Sequence, residues 1–172
     1  MTNARQVEVH FTPPPTTLLA GTTCLVTDTL RATTVITTLI SGGAAAVYPV
    51  ATLDAARSVA QELGAKLVGE RGGLPAKGFD YGNSPAEFAA LDVRGWTLVQ
   101  STSNGSQALE RAGEADCILI ACLRNRLAAA LAALETSNDL AIVCSGDGGG
   151  SRPSVEDVYT AGALVEQLVA LE

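Results

Sequence analysis

Several short apolar runs of this chain end in residues that can do chemistry. One run stops at Asp28, with Arg31 three residues on, and another stops at Glu70-Arg71. A third delivers Ser101-Thr102-Ser103-Asn104-Gly105-Ser106, and later runs lead to Arg124-Asn125 and to Cys144-Ser145-Gly146-Asp147. Arginine offers forked donors that match phosphate or carboxylate oxygens, and backbone N–H groups at the Asn104-Gly105 turn can cradle the same groups. Carboxylates beside an anion repel it unless a hard cation lies between them. Mg²⁺ suits that place, because it takes one or two carboxylates and substrate oxygens while keeping several waters. The reaction class that follows is metal-assisted phosphoryl transfer. Each residue also has a plainer role: Asp28 as a helix cap, Arg31 and Arg71 as partners of Asp28 and Glu70, Ser103–Ser106 as an ordinary turn. The functional reading rests on several such groups reaching one rim.

Other phosphate chemistries are disfavoured by what the sequence lacks. One histidine, His10, cannot make a histidine phosphatase or a multi-histidine metal centre. Cys144 and Arg152 are separated by seven residues, too many for a tyrosine-phosphatase loop. Asp28-Thr29-Leu30 lacks the second acidic residue of an aspartyl-phosphate enzyme, and there is no G-x-x-x-x-G-K-[ST] loop. The glycine run at Gly146–Gly150 is a poor dinucleotide fingerprint. Water, Cys144, Ser145 and Asp28 remain as alternative nucleophiles.

The elements that must position these groups alternate in type. Strands are expected near Val7–Phe11, Cys24–Asp28, Ala45–Val50, Lys66–Glu70, Thr97–Thr102, Cys117–Ala121 and Leu140–Ser145. Most lack a polar face, as strands buried on both sides of a parallel sheet do. Thr52 can cap a helix that Gly64 stops, and Asn104 can open another that Gly113 closes. Leu123, Leu127, Leu131 and Leu134 define a third. Ser154 with Asp157 forms a capping-box pattern ahead of Val158, Ala161, Val165 and Leu168. The run Thr33–Thr38 favours a strand by propensity, yet Ala32, Val35, Ile36, Leu39 and Ile40 share a helical stripe, and periodicity favours helix. From Gly69 to about Gly95 the alternation lapses into a long, glycine-rich loop, within which Ser84-Pro85-Ala86-Glu87 predicts a short helix. The whole reads as a single α/β domain over residues 1–172, three layers α/β/α around a mostly parallel sheet. In such sheets ligands bind at the carboxyl ends of the strands.

Composition agrees with that class. Of 172 residues, 47% are hydrophobic and 17% charged, enough apolar content for a core and too little charge for disorder. A net charge of −7 argues against nucleic acid as a partner. No apolar run approaches the ~20 residues of a membrane helix, and Met1–Phe11 lacks the features of a signal peptide. Cys24, Cys117, Cys122 and Cys144 read as core residues of a reduced, cytoplasmic protein. Low charge and high alanine content are compatible with a homodimer.

Taken together, Asp28-Thr29-Leu30-Arg31-Ala32-Thr33-Thr34, Gly69-Glu70-Arg71, Gly78-Phe79-Asp80-Tyr81-Gly82-Asn83-Ser84-Pro85, Ser103-Asn104-Gly105-Ser106, Cys144-Ser145-Gly146 and Glu156-Asp157 with Ala161-Gly162 resemble the 2-phosphosulfolactate phosphatases, in that family's order. The resemblance implies a Mg²⁺-dependent phosphatase that converts 2-phospho-3-sulfolactate to 3-sulfolactate and phosphate, a step of coenzyme M biosynthesis in methanogens. On the matching positions, Asp28, Arg31 and Glu70 are the candidate catalytic residues and Asp28, Glu70 and Asp80 the candidate Mg²⁺ ligands. Thr33, Thr34, Arg71, Asn83, Asn104, Gly105 and Ser145 are the candidate contacts to a small anionic phosphate ester. The family commonly carries T-T-N-G-T where this chain has Thr102-Ser103-Asn104-Gly105-Ser106, and its members usually continue past the position of Glu172. A small-anion-binding module without turnover is the rival reading.

Overall fold

The computed structural model describes residues 5–136 and 138–171; the start of the Met1–Phe11 stretch and Glu172 lie outside them. All seven expected strands form: β1 (Val7–His10), β2 (Thr22–Thr27), β3 (Ala46–Pro49), β4 (Lys66–Arg71), β6 (Thr97–Ser101), β7 (Cys117–Ala121) and β8 (Asp139–Cys144). A two-residue β5 (Leu74–Pro75) adds a hairpin edge to β4. The α/β class holds, but the strands divide between two sheets instead of filling one. The first, ordered β1-β8-β2-β7, is wholly parallel. The second, ordered β3-β6-β4-β5, is parallel apart from β5.

Helix α1 (Ala32–Ser41) explains how two sheets make one body. Its Ile36 packs with Cys24, Val26 and Val143 of the first sheet, while Val35 and Leu39 pack with Val68 and Leu98 of the second. The helix is apolar on two sides because it serves two sheets. Its threonines are tolerated because their hydroxyls find upstream carbonyls: Thr34 Oγ1 donates to Thr29 O and Thr38 Oγ1 to Thr34 O, each at 2.8 Å. Periodicity therefore outweighs β propensity here.

The remaining helices cover the outer faces. α2 (Leu53–Leu63) begins at Thr52, whose side chain accepts from Ala55 N, and stops at left-handed Gly64. Its Ala56 and Ala60 pack on Val99 of the second sheet. α3 (Pro85–Ala89) is the short helix of the long loop, capped by Ser84, with Phe88 buried. α4 (Gly105–Arg111) follows β6 and packs on the first sheet through Ala108 and Leu109. α5 (Arg126–Glu135) and α6 (Val155–Val169) lie on that sheet's other face. The expected helix forms as α5, with Leu134 packed against the core beside its alanines. Ala129, Ala130 and Ala133 are buried there, and Leu127 and Leu131 are about half exposed. No helix among the described residues is long and apolar enough to cross a membrane.

Candidate active site

The carboxyl ends of β2, β4, β6 and β8 converge where the two sheets meet, around a cleft of about 300 Å³. Asp28, Arg31, Glu70, Asn83 and Asn104, contributed by four separate stretches of sequence, line it. Five of the expected site residues thus meet in one crevice, joined by Asp147 from the turn after β8.

Asp28 is the most constrained of them. Its side chain is buried beneath the cleft, and burial pushes its pKa from the ordinary 3.8 up to about 6. The nearby charge of Asp157 pushes in the same direction, and the N–H groups of Ala32, Gly105 and Arg31 oppose it. Ala32 N donates to Oδ1 at 3.1 Å. Thr33 Oγ1 donates to Asp28 O at 2.8 Å, so Thr33 shapes this loop from behind. Thr34 does the same through Thr29 O; neither hydroxyl points its hydrogen at the cleft. Gly105 is at the back of Asp28, and a Cβ there would lie 2.5 Å from both Asp28 Oδ2 and Ala32 Cβ. Only glycine permits that approach.

Glu70 reaches the cleft but its carboxylate is a clasp. Oε1 accepts from Ser103 N at 2.7 Å, and Oε2 accepts from Gly73 N at 2.7 Å and Ser103 Oγ at 3.1 Å. The acid thereby ties the β4–β5 turn to the loop after β6. Arg71 points elsewhere: its guanidinium donates to Glu70 O, Ala51 O and Ser101 Oγ. Asp80 is exposed, accepts from Leu67 N at 2.7 Å, and does not line the cleft. Asn83 is buried, with its Oδ1 accepting from Gln100 Nε2 at 3.0 Å. That bond fixes the Asn83 amide on the cleft wall.

Ser145 and Cys144 lie deeper. Ser145 Oγ donates to Asp157 Oδ2 at 3.0 Å, and burial pushes the Cys144 thiol up to about 12. The thiol is therefore protonated at neutral pH, which removes the feature that makes cysteine a nucleophile. Arg31 makes one long contact among the described residues, Nη2 to Gly73 O at 3.5 Å, leaving most of its fork available.

Two residues escape a reading by sequence. Asp157 looks like a routine first-turn acid, yet it is 2% exposed. Its Oδ1 accepts from Thr29 N at 2.8 Å and its Oδ2 from Gly146 N at 3.1 Å, so it joins the loops after β2 and β8. The Ser154 side chain makes no cap hydrogen bond, so the capping box does not form. The available signal was register: Asp157, Ala161, Leu164 and Leu168 fall on one buried stripe. Gln100 is the second, a fully buried amide on β6 that also donates to Ala32 O at 3.3 Å.

The donor set gives a limited fit to a divalent cation. No group of three or more His, Cys, Asp or Glu side chains among the described residues is arranged to hold one. Asp28 alone offers a carboxylate whose buried charge, crowded by Asp157, would be relieved by a cation, and Mg²⁺ that keeps its waters needs no more than one or two such ligands.

A family model for 2-phosphosulpholactate phosphatase matches residues 12–172. A protein of Deinococcus radiodurans bearing the name probable 2-phosphosulfolactate phosphatase is 46% identical over 107 residues, covering 61% of this chain and 44% of that one. Proteins of the same name from Thermotoga petrophila and Synechococcus sp. are 40% and 43% identical, over 72% and 74% of this chain and 52% and 53% of theirs. The chain spans about half the length of these curated relatives. Because the family match runs from just beyond β1 through α6 and takes in every stretch that builds the cleft, the chain belongs to the 2-phosphosulpholactate phosphatase family.

Proposed function

We propose that this protein is a cytoplasmic Mg²⁺-dependent phosphomonoesterase acting on a small acidic ester, 2-phospho-3-sulfolactate or one of similar charge. The observation that carries the reading is the meeting of Asp28, Arg31, Asn83 and Asn104 around one cleft at the strand ends. Arg31 binds phosphoryl oxygens with its uncommitted fork. The Asn83 and Asn104 amides orient the ester, their carbonyl oxygens already taken by Gln100 and by Gly149 N. Glu70 keeps the two loops that carry Ser103 and Gly73 at a fixed spacing, which preorganises the oxygens' binding positions. Asp28, at the floor of the cleft, is the carboxylate that the reacting phosphoryl group would meet. Mg²⁺ would rest on Asp28, and when bound it would draw electron density from the phosphoryl oxygens.

The experiment is phosphate release from phosphosulfolactate and from p-nitrophenyl phosphate, in Mg²⁺ and in EDTA. Release that requires Mg²⁺ is expected. Release that persists undiminished in EDTA removes the metal from the proposal. A ligand-induced rise in melting temperature with no release under either condition identifies an anion-binding module instead.

A further inference from the structure

The cleft is short of positive charge for such a substrate. Carboxylates of Asp28, Glu70 and Asp147 border it, against the single guanidinium of Arg31. Arg71, the expected second cation, is committed to two carbonyls and Ser101. An ester with both a phosphate and another acidic group would meet like charge over much of the rim.

The hairpin after β8 holds the missing cation. Asp147 N donates to Arg152 O at 2.7 Å and Arg152 N to Asp147 O at 3.2 Å, closing a loop whose Gly148, Gly149 and Gly150 all take left-handed φ between +60° and +80°. Gly148 and Gly149 form part of the cleft wall, and Gly149 N donates to Asn104 Oδ1 at 2.9 Å, which fastens the hairpin to the rim. The Arg152 side chain lies alongside this wall: a Cβ on Gly148 would be 3.8 Å from its Nε and Nη2. Arg152 Nη2 donates to Asp147 Oδ2 at 2.6 Å, while its side chain is 71% exposed. That bond uses one of the five guanidinium N–H groups. Surface ion pairs contribute little to stability. The bond neutralises Asp147 and leaves other N–H groups of the fork free, at a position beside the cleft lining and not within it.

We propose that Arg152 is a specificity-determining residue, binding the acidic group of the ester that is not transferred, a sulfonate or carboxylate, while Asp147 holds its orientation. The choice of ligand rests on the phosphatase reading above. Bidentate guanidinium geometry suits both oxyanions, and glycine in place of side chains at 148 and 149 lets the ester approach the wall.

The test measures binding of phosphosulfolactate and of inorganic phosphate by calorimetry, in Mg²⁺ and in EDTA, for the wild type, Arg152→Ala and Arg152→Lys. Melting curves establish that the variants fold. The expected result is an at least tenfold rise in the Kd ratio of ester to phosphate for Arg152→Ala, and a smaller rise for Arg152→Lys. That result without phosphate release would sink the phosphatase reading and leave the Arg152 assignment standing. Equal ratios in wild type and Arg152→Ala would overturn the assignment even if the ester is hydrolysed. A wild type that binds no ester in either condition overturns both.

Discussion

At the scale of single residues, Asp28 carries an unfavourable burial that function explains. A carboxyl whose pKa is about 6 in the folded chain and 3.8 in the open one favours folding only while protonated. Its stabilising contribution is whole below about pH 4 and is lost as pH rises through 6, a change of at most about 3 kcal/mol for a shift of this size. In EDTA the melting temperature should therefore fall from pH 5 to pH 8. Asp28→Asn should flatten that fall and lower phosphatase activity at least about 100-fold, in the range that loss of an essential catalytic group produces; equal slopes in the two proteins would place the titrating group elsewhere. Gly105 gives a second measurement. A methyl group there meets Asp28 Oδ2 and Ala32 Cβ at 2.5 Å, so Gly105→Ala should cost about 1–3 kcal/mol in urea unfolding, the range for overpacking. A variant as stable as the wild type would contradict the close approach. Asp28, Arg31 and Asn104 were legible as site residues because each closes or follows a strand, whereas Asn83, within the long loop, was marked only by the family resemblance. The clasping role of Glu70 and the outward turn of Arg71 were not legible, since both depend on which loop lies opposite β4, and spacing along the chain does not encode that.

Elements set the separation of these groups, and α6 does so through one buried acid. Asp157 accepts from the backbone of the β2 loop with one oxygen and of the β8 loop with the other. Its removal leaves two buried N–H groups without partners, each costing about 1–3 kcal/mol. Asp157→Ala should then destabilise the fold by about 2–5 kcal/mol, read from the urea midpoint, and blunt activity by letting the two loops separate. A loss under about 0.5 kcal/mol, ordinary for a surface change, would show that the acid is a simple helix-dipole partner. Element type was well marked in the sequence: Thr52 and Gly64 bound α2, Ser84-Pro85 opens α3, and Ala32, Val35, Ile36 and Leu39 beat the threonines of α1. Element orientation was marked less well. The leucines mark α5 as a helix, while alanines occupy most of its inner face, because close packing of α5 on α6 and β7 rewards small residues. Hydrophobicity alone ranks leucine first; fit between neighbours decides otherwise.

The molecule as a whole is held together by a helix with two apolar sides. Periodicity identifies strands one at a time and says nothing about which sheet each joins, so one sheet was the simpler expectation and two were found. The physical clue is α1, whose Ile36 serves the first sheet and whose Val35 and Leu39 serve the second. A shared wall of this kind should couple the sheets, since neither keeps its full core once α1 leaves. Trp96, the one tryptophan, packs beside Val68 and Leu98 of the second sheet and Phe88 of α3, and reports on that side alone. Far-UV circular dichroism reports on both. Under one cooperative transition, the Trp96 fluorescence and dichroism curves should superimpose in urea. Leu39→Ala, at a site with no exposure, should lower both midpoints together, by a destabilisation of about 2–5 kcal/mol. If the Leu39→Ala fluorescence transition moved to lower urea while most of the dichroism stayed in place, the second sheet would be unfolding by itself. The cleft would then lie between two independent bodies, and its geometry could not be held by α1.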